Sequence, residues 1–216
     1  MNDRYGFIPH YYTLQEEEFI FSPEIKAILQ SNVDKKLNIE ALGEYLSFGM
    51  FFDNKTIFEK IYILPPATIL IYDNNAIHLG KYWEFKYSCD YSISEDAYIK
   101  ELIETFRSAV NIRLKEELRY CIGLSGGLDS RCIVGAINNE NKRKVFAFCF
   151  GANLCDEINI ARKIASKCNI KFVTANISPQ SIISNADKEV YLTDGRTNIG
   201  MSYDFSIGLV YLINRK

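Results

Sequence analysis

The second half of the chain alternates between strand-like and helix-like patterns, and this alternation limits the folds open to it. Apolar runs predict strands at Tyr120–Leu124, Val145–Phe150 and Lys171–Ala175. Helices are predicted between them, one starting at Asp129 and one over Asp156–Lys167. Strands joined by helices of this length form right-handed βαβ units, so the sequence predicts an α/β fold with a parallel sheet and flanking helices.

A Gly-Gly turn joins the first predicted strand to its helix. Residues Ser125–Ser130 read Ser-Gly-Gly-Leu-Asp-Ser. Glycines let the backbone approach a bound group, and the N-terminus of the following helix directs unpaired N–H groups and a positive dipole end at that group. This segment lacks the Gly-Lys of a Walker A loop, but it predicts an anion site at the carboxyl edge of the sheet. The structural alternative is a tight turn with Asp129 as the helix N-cap.

Composition and charge exclude several classes of protein. The 216 residues are 48% hydrophobic and 24% charged, which is typical of a globular chain and not of a disordered one. A net charge of −2 provides no bulk attraction for a polyanion, so no nucleic-acid partner is expected. The longest apolar stretch, Ile61–Tyr72, contains two prolines and is too short to cross a bilayer, and the N-terminal residues carry no apolar signal segment. We expect no membrane partner and a cytoplasmic location.

The first 90 residues favour short strands and short helices. Hairpins are predicted around the acidic turn Gln15–Glu18 and around Asp73–Asn75. A short helix is expected to take Ser22 as its N-cap and the following proline as its first residue. A second helix is expected to run from Asn38 to near Gly49.

Two amphipathic helices are predicted further along the chain. The first begins at Ser94, and its apolar stripe is interpreted as core. The stripe consists of Ile99, Leu102, Ile103, Phe106, Val110 and Leu114. The second helix is predicted over Tyr203–Lys216.

The loop Ser125–Ser130 resembles the pyrophosphate loop of the N-type ATP pyrophosphatases, which activate a carboxylate as an adenylate. Other segments narrow the resemblance to the glutamine-hydrolysing asparagine synthetases. Asp3–Tyr12 and Phe21–Leu29 are similar to stretches late in their glutaminase domain. Thr56–Pro66, followed by Lys81–Trp83, resembles their linker into the synthetase domain. The resemblance covers nearly the whole chain in order, and it implies a fold like that of the adenine nucleotide alpha hydrolases for the parallel-sheet part.

The resemblance implies how the chain would hold ATP and Mg²⁺. The residues implied to contact the ATP phosphates are Ser125, Gly126, Gly127 and Ser130. Asp129 is implied to lie near the phosphates and to bind their Mg²⁺. The residues that lie where the family packs the adenine are Leu124, Phe150 and Gly151.

Other polar residues near these segments receive different interpretations. Asp194–Arg196 and the polar run to Ser202 lie where the family shapes its active-site cleft. Asp156 and Glu157 are interpreted as a cap of their own helix and not as ligands.

The resemblance also implies a division of the chain. Residues 1–30 correspond to the carboxyl-terminal remnant of a glutaminase domain of the Ntn type, 31–90 to the entry segment, and 91–216 to the amino-terminal part of the synthetase domain. No cysteine precedes Cys89, so the N-terminal nucleophile of a family glutaminase is missing, as is the family's second phosphate motif, Ser-Gly-x-Gly-x-Asp-Glu. We therefore expect a chain truncated at both ends and without glutaminase activity of its own.

The function implied by the resemblance is ATP-dependent amide-bond formation, in which aspartate is adenylated and ammonia displaces AMP. The small-molecule partners would be ATP, aspartate or another carboxylate, and ammonia or an amine. One alternative is an amide ligase of the β-lactam synthetase or lasso-cyclase type, which needs no glutaminase. Another alternative is an inactive nucleotide-binding fragment that needs a partner chain. Assembly of the chain into a homo-oligomer is also left open. The acceptor substrate is not identified by the sequence.

Overall fold

The computed structural model describes residues 1–151 and 155–196. Contacts between Cα atoms divide the chain into two compact units. The described part of the first unit is 1–88 with 187–196, and that of the second is 89–151 with 155–186. The predicted helix over Tyr203–Lys216 and the polar run after Arg196 lie outside the described residues.

A three-stranded antiparallel sheet and a separate hairpin make up the β-structure of the first unit. The sheet has the order β2-β1-β3, with β1 at Tyr11–Gln15, β2 at Glu18–Ser22 and β3 at Tyr62–Ile63. Strand β4 (Thr68–Asp73) pairs with β5 (Ala76–Lys81). Both predicted hairpins are confirmed.

Each hairpin turns through two residues in the left-handed region. The φ angles are +49° and +67° at Glu16 and Glu17, and +47° and +58° at Asn74 and Asn75. Two consecutive positive φ values are typical of a type I′ turn, whose twist matches the flanking strands. Asparagine adopts this conformation readily and glutamate does not, so the first turn depends on strand pairing from Tyr11 to Gln15 more than on its own sequence.

Helices α1 (Ile25–Ile28) and α2 (Ile39–Phe48) lie in the first unit. Helix α2 has the predicted ends. The Asn38 side chain accepts a hydrogen bond from the Ala41 N–H at 3.0 Å, and Gly49 closes the helix with a φ of +74°. These two ends are local signals, so they could be read from the sequence.

Helix α1 is capped by a distant carboxylate, and the predicted N-cap is wrong. Ser22 Oγ accepts a hydrogen bond from the Glu24 N–H, one residue before the helix begins. The N–H groups of Ile25 and Lys26 instead donate to the two carboxylate oxygens of Asp194, at 2.9 and 3.1 Å. Lys26 Nζ lies 3.3 Å from Asp194 Oδ1. The start of α1 is therefore stabilised by a residue 169 positions further along the chain.

The second unit contains the predicted parallel sheet. Its order is β6-β7-β8, and both pairs are parallel. The strands are β6 at Tyr120–Gly123, β7 at Val145–Gly151 and β8 at Lys171–Asn176. Flanking helices accompany the sheet, so the predicted α/β class, preceded by a small α+β region, is confirmed.

Three helices of this part of the chain correspond to predicted ones, namely α3 (Glu95–Asn111), α4 (Leu128–Ala136) and α6 (Asp156–Lys167). Two further helices, α5 (Asn139–Lys142) and α7 (Pro179–Thr193), were not predicted. Because the strands join the sheet in chain order, right-handed crossovers place α4 and α6 on the same face. None of the helices in the described ranges has both the length and the apolar character needed to span a bilayer.

The core of the second unit lies between the sheet and these two helices. Alternate residues of β7 point into it, as the period of a strand requires. The buried members are Leu124, Val134, Ile137, Val145, Ala147, Cys149, Ile158, Ala161, Ala165 and Ile170. Small residues on α6 let that helix approach the strands closely.

The apolar stripe of α3 is only in part a core element, which corrects the sequence interpretation. Val110 and Leu114 pack against the core, but no residue of α3 itself is buried. The exposed members of the stripe are Ile99, Leu102, Ile103 and Phe106. The attachment is at the C-terminal end, where Asn111 donates to the Ala136 carbonyl at 2.8 Å and accepts from the Asn138 N–H at 3.0 Å.

Replacing the Asp194 cap should destabilise the chain. Asp194→Ala removes the acceptor of two backbone N–H groups, so we expect a loss of about 1–2 kcal/mol in the free energy of unfolding. Asp194→Asn keeps one carbonyl oxygen and should lose less. Urea unfolding followed by circular dichroism measures both.

The matched control is Asp187→Ala, which removes an exposed carboxylate of α7 that makes no salt bridge among the described residues. It should change the free energy of unfolding by less than about 0.5 kcal/mol. Equal losses for Asp187→Ala and Asp194→Ala would contradict the capping role.

Candidate functional site

The loop Ser125–Ser130 leaves the sheet at the carboxyl edge of β6. The Leu124 N–H donates to the Phe148 carbonyl of β7 at 2.8 Å, which extends the pairing one residue beyond the strand. The chain then turns, and α4 begins at Leu128. This placement agrees with the predicted position of an anion site in an open α/β sheet.

The two serines close the loop on itself. Ser125 Oγ lies 3.2 Å from Ser130 Oγ and accepts a hydrogen bond from the Gly127 N–H at 3.1 Å. Ser130 Oγ accepts from the Ser125 N–H, also at 3.1 Å. Arg131 adds a further tie, because its Nε donates to the Gly127 carbonyl at 3.1 Å. The loop is therefore held in shape by its own side chains before any ligand is bound.

The N-terminus of α4 is open. Its N-cap residue is Gly127, with φ −72° and ψ 161°, and no side chain caps the helix. Asp129 lies in the first turn and is exposed, so the alternative in which Asp129 is the N-cap is wrong. Leu128 is 70% exposed, which leaves the first turn accessible. An uncapped helix start presents N–H donors and a partial positive charge to solvent.

Gly126 has a packing role that sequence reasoning missed. Neither glycine of the loop has a positive φ. A Cβ at Gly126 would lie 3.4 Å from Ile160 Cδ1 and 3.6 Å from Glu157 Cα, both on α6. The loop thus lies against α6 at ordinary contact distances. The sequence carried no signal for this contact, because it joins two segments more than 30 residues apart.

The end of β7 meets the same helix. A Cβ at Gly151 would lie 2.8 Å from Cys155 Sγ and 3.5 Å from Ile158 Cδ1. The Gly151 carbonyl accepts a hydrogen bond from the Ile177 N–H at 3.0 Å. Because the first turns of α6 contact both Gly126 and Gly151, the structure brings together the loop and the end of β7.

The other two predicted adenine contacts, Leu124 and Phe150, differ in exposure. Leu124 is 1% exposed and belongs to the core, so its side chain has no surface left for a ligand. Phe150 is half-buried, and its ring centroid lies 6.1 Å from that of Phe148. Of the two, Phe150 offers a ring at the sheet edge, and Leu124 offers only backbone atoms.

Acidic residues also lie at this edge of the sheet. Asp156 and Glu157 occupy the first turn of α6, where their negative charges interact favourably with the helix dipole. The N-cap is Cys155, so the interpretation of the two acids as the cap is wrong. Within the described ranges, no three His, Cys, Asp or Glu side chains gather as an ion site. Mg²⁺ often takes one or two protein carboxylates together with substrate phosphates, so the single exposed carboxylate of Asp129 fits this pattern.

The nearby thiols do not provide a nucleophile. Burial raises the pKa of Cys149 on β7 to about 11, and the neighbouring Cys155 and Glu157 add to that shift. Burial likewise raises the pKa of Cys121 on β6 to about 11. Both of these thiols are therefore protonated at neutral pH and are not available as thiolate nucleophiles.

Asp194–Arg196 belong to the first unit. Asp194 caps α1, and the Arg196 guanidinium carbon lies 5.8 Å from the ring centroid of Tyr11. The predicted cleft role of these residues stays a prediction, and their structural contacts are with β1 and α1.

Comparison with known proteins agrees with this architecture. The fold and the loop define an α/β chain with a glycine-rich loop at the carboxyl edge of a parallel sheet, preceded by an α+β unit. The family model described as asparagine synthase matches residues 101–215, and that described as glutamine amidotransferase domain matches residues 1–83. The first of these matches covers more than half of the chain, so the chain belongs to the asparagine synthase family.

The chain is also similar to individual proteins. Glutamine-hydrolysing asparagine synthetase 1 of Bacillus subtilis is 25% identical over 194 residues, covering 89% of this chain and 30% of the relative. Asparagine synthetase 3 of the same organism is 32% identical over 154 residues, covering 68% and 25%. The amidase chry2 of Gibberella zeae is 29% identical over 145 residues, covering 65% and 21%. The chain thus spans less than a third of the length of these relatives.

The contact at Gly151 makes a testable prediction. Gly151→Ala places a methyl group 2.8 Å from Cys155 Sγ, which is too close for an unstrained contact, so we expect a loss of about 1–2 kcal/mol in the free energy of unfolding. In a Cys155→Ala background the blocking sulfur is absent, and the same substitution should cost less than about 0.5 kcal/mol. A double-mutant cycle by urea unfolding measures the coupling. An equal cost in both backgrounds would show that the two residues do not compete for space.

Proposed function

We propose that this chain forms part of an ATP-dependent amide-forming enzyme in which Ser125–Ser130 holds the pyrophosphate group of ATP. The observation that carries the proposal is the uncapped N-terminus of α4, with Gly127 at the N-cap, at the carboxyl edge of the parallel sheet. Membership of the asparagine synthase family supports the reaction class. The chain spans only part of its relatives, so the activity of the whole protein is included in the proposal.

Several residues of the loop would contribute to phosphate binding. The N–H groups of the first turn of α4 and its dipole would meet the negative oxygens. The hydroxyls of Ser125 and Ser130 lie 3.2 Å apart and can turn toward an anion without moving the backbone. Asp129 would bind Mg²⁺, which supplies positive charge to the phosphates. Phe150 would support the adenine with its ring.

The proposed reaction has two steps. A carboxylate oxygen of the acceptor attacks the α-phosphorus of ATP, and the bond to pyrophosphate breaks. The nitrogen of ammonia then attacks the acyl carbon, the bond to AMP breaks, and the nitrogen loses a proton. In the first step the loop binds the leaving group, so its contribution is to position pyrophosphate and neutralise its growing charge.

Aspartate is the proposed acceptor, because the asparagine synthetases are among the relatives. The relatives include proteins that are not named asparagine synthetases, such as the amidase chry2, so the acceptor is open to a second candidate. This candidate is an amide ligase acting on another carboxylate, such as one of the β-lactam synthetase or lasso-cyclase type. A third candidate is a nucleotide-binding chain without catalysis. The three candidate functions differ in which carboxylate acceptor, if any, reacts with ATP in the first step.

Nucleotide binding tests the proposed role of the loop. Ser125→Ala combined with Asp129→Ala removes one hydroxyl and one carboxylate, so we expect the affinity for ATP with Mg²⁺ to fall by roughly 10-fold or more. Calorimetric titration of the chain measures it. The matched control is Asp96→Ala in α3, another first-turn acid, on a helix whose N-terminus is already capped by the Ser94 side chain. Unchanged affinity in the double variant, or an equal loss in the control, would overturn the assignment.

Exchange of labelled pyrophosphate into ATP tests the chemistry. The chain, together with any flanking sequence of its gene, should catalyse exchange that depends on aspartate, and the Ser125→Ala/Asp129→Ala variant should lose about 100-fold or more of the rate. Exchange promoted by a different carboxylate would favour the second candidate. ATP binding without exchange for any carboxylate tested would favour the third.

A further inference from the structure

A buried hydroxyl in the first unit has no partner. Tyr11 on β1 is 2% exposed, and its hydroxyl is the one buried side-chain polar atom without a hydrogen-bond partner among the described residues. Leaving such a group unpaired is costly, and native structures contain few examples. The hydroxyl is therefore a candidate for contact with a bound molecule.

A cavity lies beside this tyrosine, within the first unit. Its volume is about 500 Å³, which is in the range of small-molecule sites. Most of its wall is aromatic or aliphatic. The apolar lining includes Leu29, Tyr45, Phe51, Phe58, Ile63 and Tyr191.

The charges that line the cavity are unequally compensated. Lys26 is paired with Glu24 at 3.2 Å and with Asp194 at 3.3 Å. Lys55 pairs with two glutamates of α2. Arg196 makes no salt bridge with any described residue, and its guanidinium lies over the ring of Tyr11. Its charge is thus left to a ligand or to solvent.

The hydroxyl and the guanidinium are chemically matched to an anionic oxygen. Burial raises the pKa of Tyr11, and the negative charge of Asp194 adds to that shift. The Arg196 guanidinium, by its charge and its approach to the hydroxyl, and the charge of Lys26 oppose the shift only in part. The hydroxyl therefore keeps its proton at neutral pH and can donate it in a hydrogen bond. Arginine has donors and no acceptor, so an oxygen that accepts from both groups completes the arrangement.

We propose that this cavity binds a small organic carboxylate with an apolar body, whose carboxylate meets the Tyr11 hydroxyl and the Arg196 guanidinium. The apolar body would lie against the aromatic wall. The remaining unpaired charge on the lining is the exposed Asp53, which is not among the groups that influence the Tyr11 hydroxyl. The proposal uses no residue of the nucleotide loop and stands independently of the proposed function.

Three probes with one skeleton test the proposal on the 216-residue chain. They are 4-phenylbutyrate, 4-phenylbutyramide and 4-phenylbutylamine, which carry a negative, a neutral and a positive head group. The carboxylate should bind saturably with a dissociation constant of roughly 0.1–1 mM, as suits a ligand of about a dozen heavy atoms. The amide and the amine should bind at least about five-fold more weakly.

Variants locate the binding. Tyr11→Phe should weaken binding of 4-phenylbutyrate by about five-fold and Arg196→Gln by about ten-fold, because each removes a donor to the carboxylate. The matched control is Tyr12→Phe, the next residue of β1, whose side chain alternates to the other face and does not line the cavity. Binding should also be unchanged in Ser125→Ala/Asp129→Ala, which separates this site from the nucleotide loop.

Thermal unfolding provides a second readout for Tyr11. Without a probe, Tyr11→Phe removes an unpaired buried hydroxyl and should leave the melting temperature unchanged or raise it by roughly 2 °C. With saturating 4-phenylbutyrate the original chain should gain more than the variant. A melting temperature lowered by the substitution would show that the hydroxyl already has a stabilising partner, and would overturn the proposal.

Other results would also overturn it. These are equal binding of the carboxylate and the amide, stronger binding of the amine, which would indicate Asp53, and no saturable binding at 10-fold above the expected constant. Undiminished binding of 4-phenylbutyrate in both Tyr11→Phe and Arg196→Gln would place the carboxylate elsewhere.

Discussion

The contact between α6 and two glycines holds together the edge of the parallel sheet on which the proposed function depends. Ile160 and Glu157 lie against Gly126, and Ile158 lies against Gly151. A Cβ at Gly151 would press on Cys155, and one at Gly126 would be in ordinary contact with the helix, so the loop and the end of β7 both lie against one element. Small residues in the body of α6 bring it near enough to the strands for these contacts to form. The open end of α4 is positioned as a consequence.

Much of the second unit could be predicted from the sequence because its signals are local. Apolar runs of strand length and polar helices between them specify a parallel sheet once right-handed crossovers are assumed. The ends of α2 were predictable for the same reason, since Asn38 and Gly49 act within one turn. The cap of α1 was not, because its carboxylate lies 169 residues away and the local Ser22 was a plausible substitute. Hydrogen bonds of that range leave no periodic trace in a sequence.

The candidate site likewise has features that are local in the sequence and features that depend on packing. The loop and its position after a strand are sequence properties, and the structure shows both. The roles of single residues depend on packing, which the sequence does not display. Leu124 is enclosed in the core, and Gly126 faces a helix. For the apolar stripe of α3, the sequence predicts more burial than the structure has. Its helical period predicts a buried face, but only its C-terminal end contacts the core.

Unsatisfied polar groups mark the two places where we propose that this chain binds another molecule. Most polar groups near these places are already paired, such as Asp194 with α1 and Lys26 with two carboxylates. The first turn of α4 lacks a side-chain cap, and the Tyr11 hydroxyl lacks any partner among the described residues. The first was predictable because a glycine at the N-cap is a local feature. The second was not, since the burial of a tyrosine hydroxyl depends on β1, α1 and the end of α7 meeting around it.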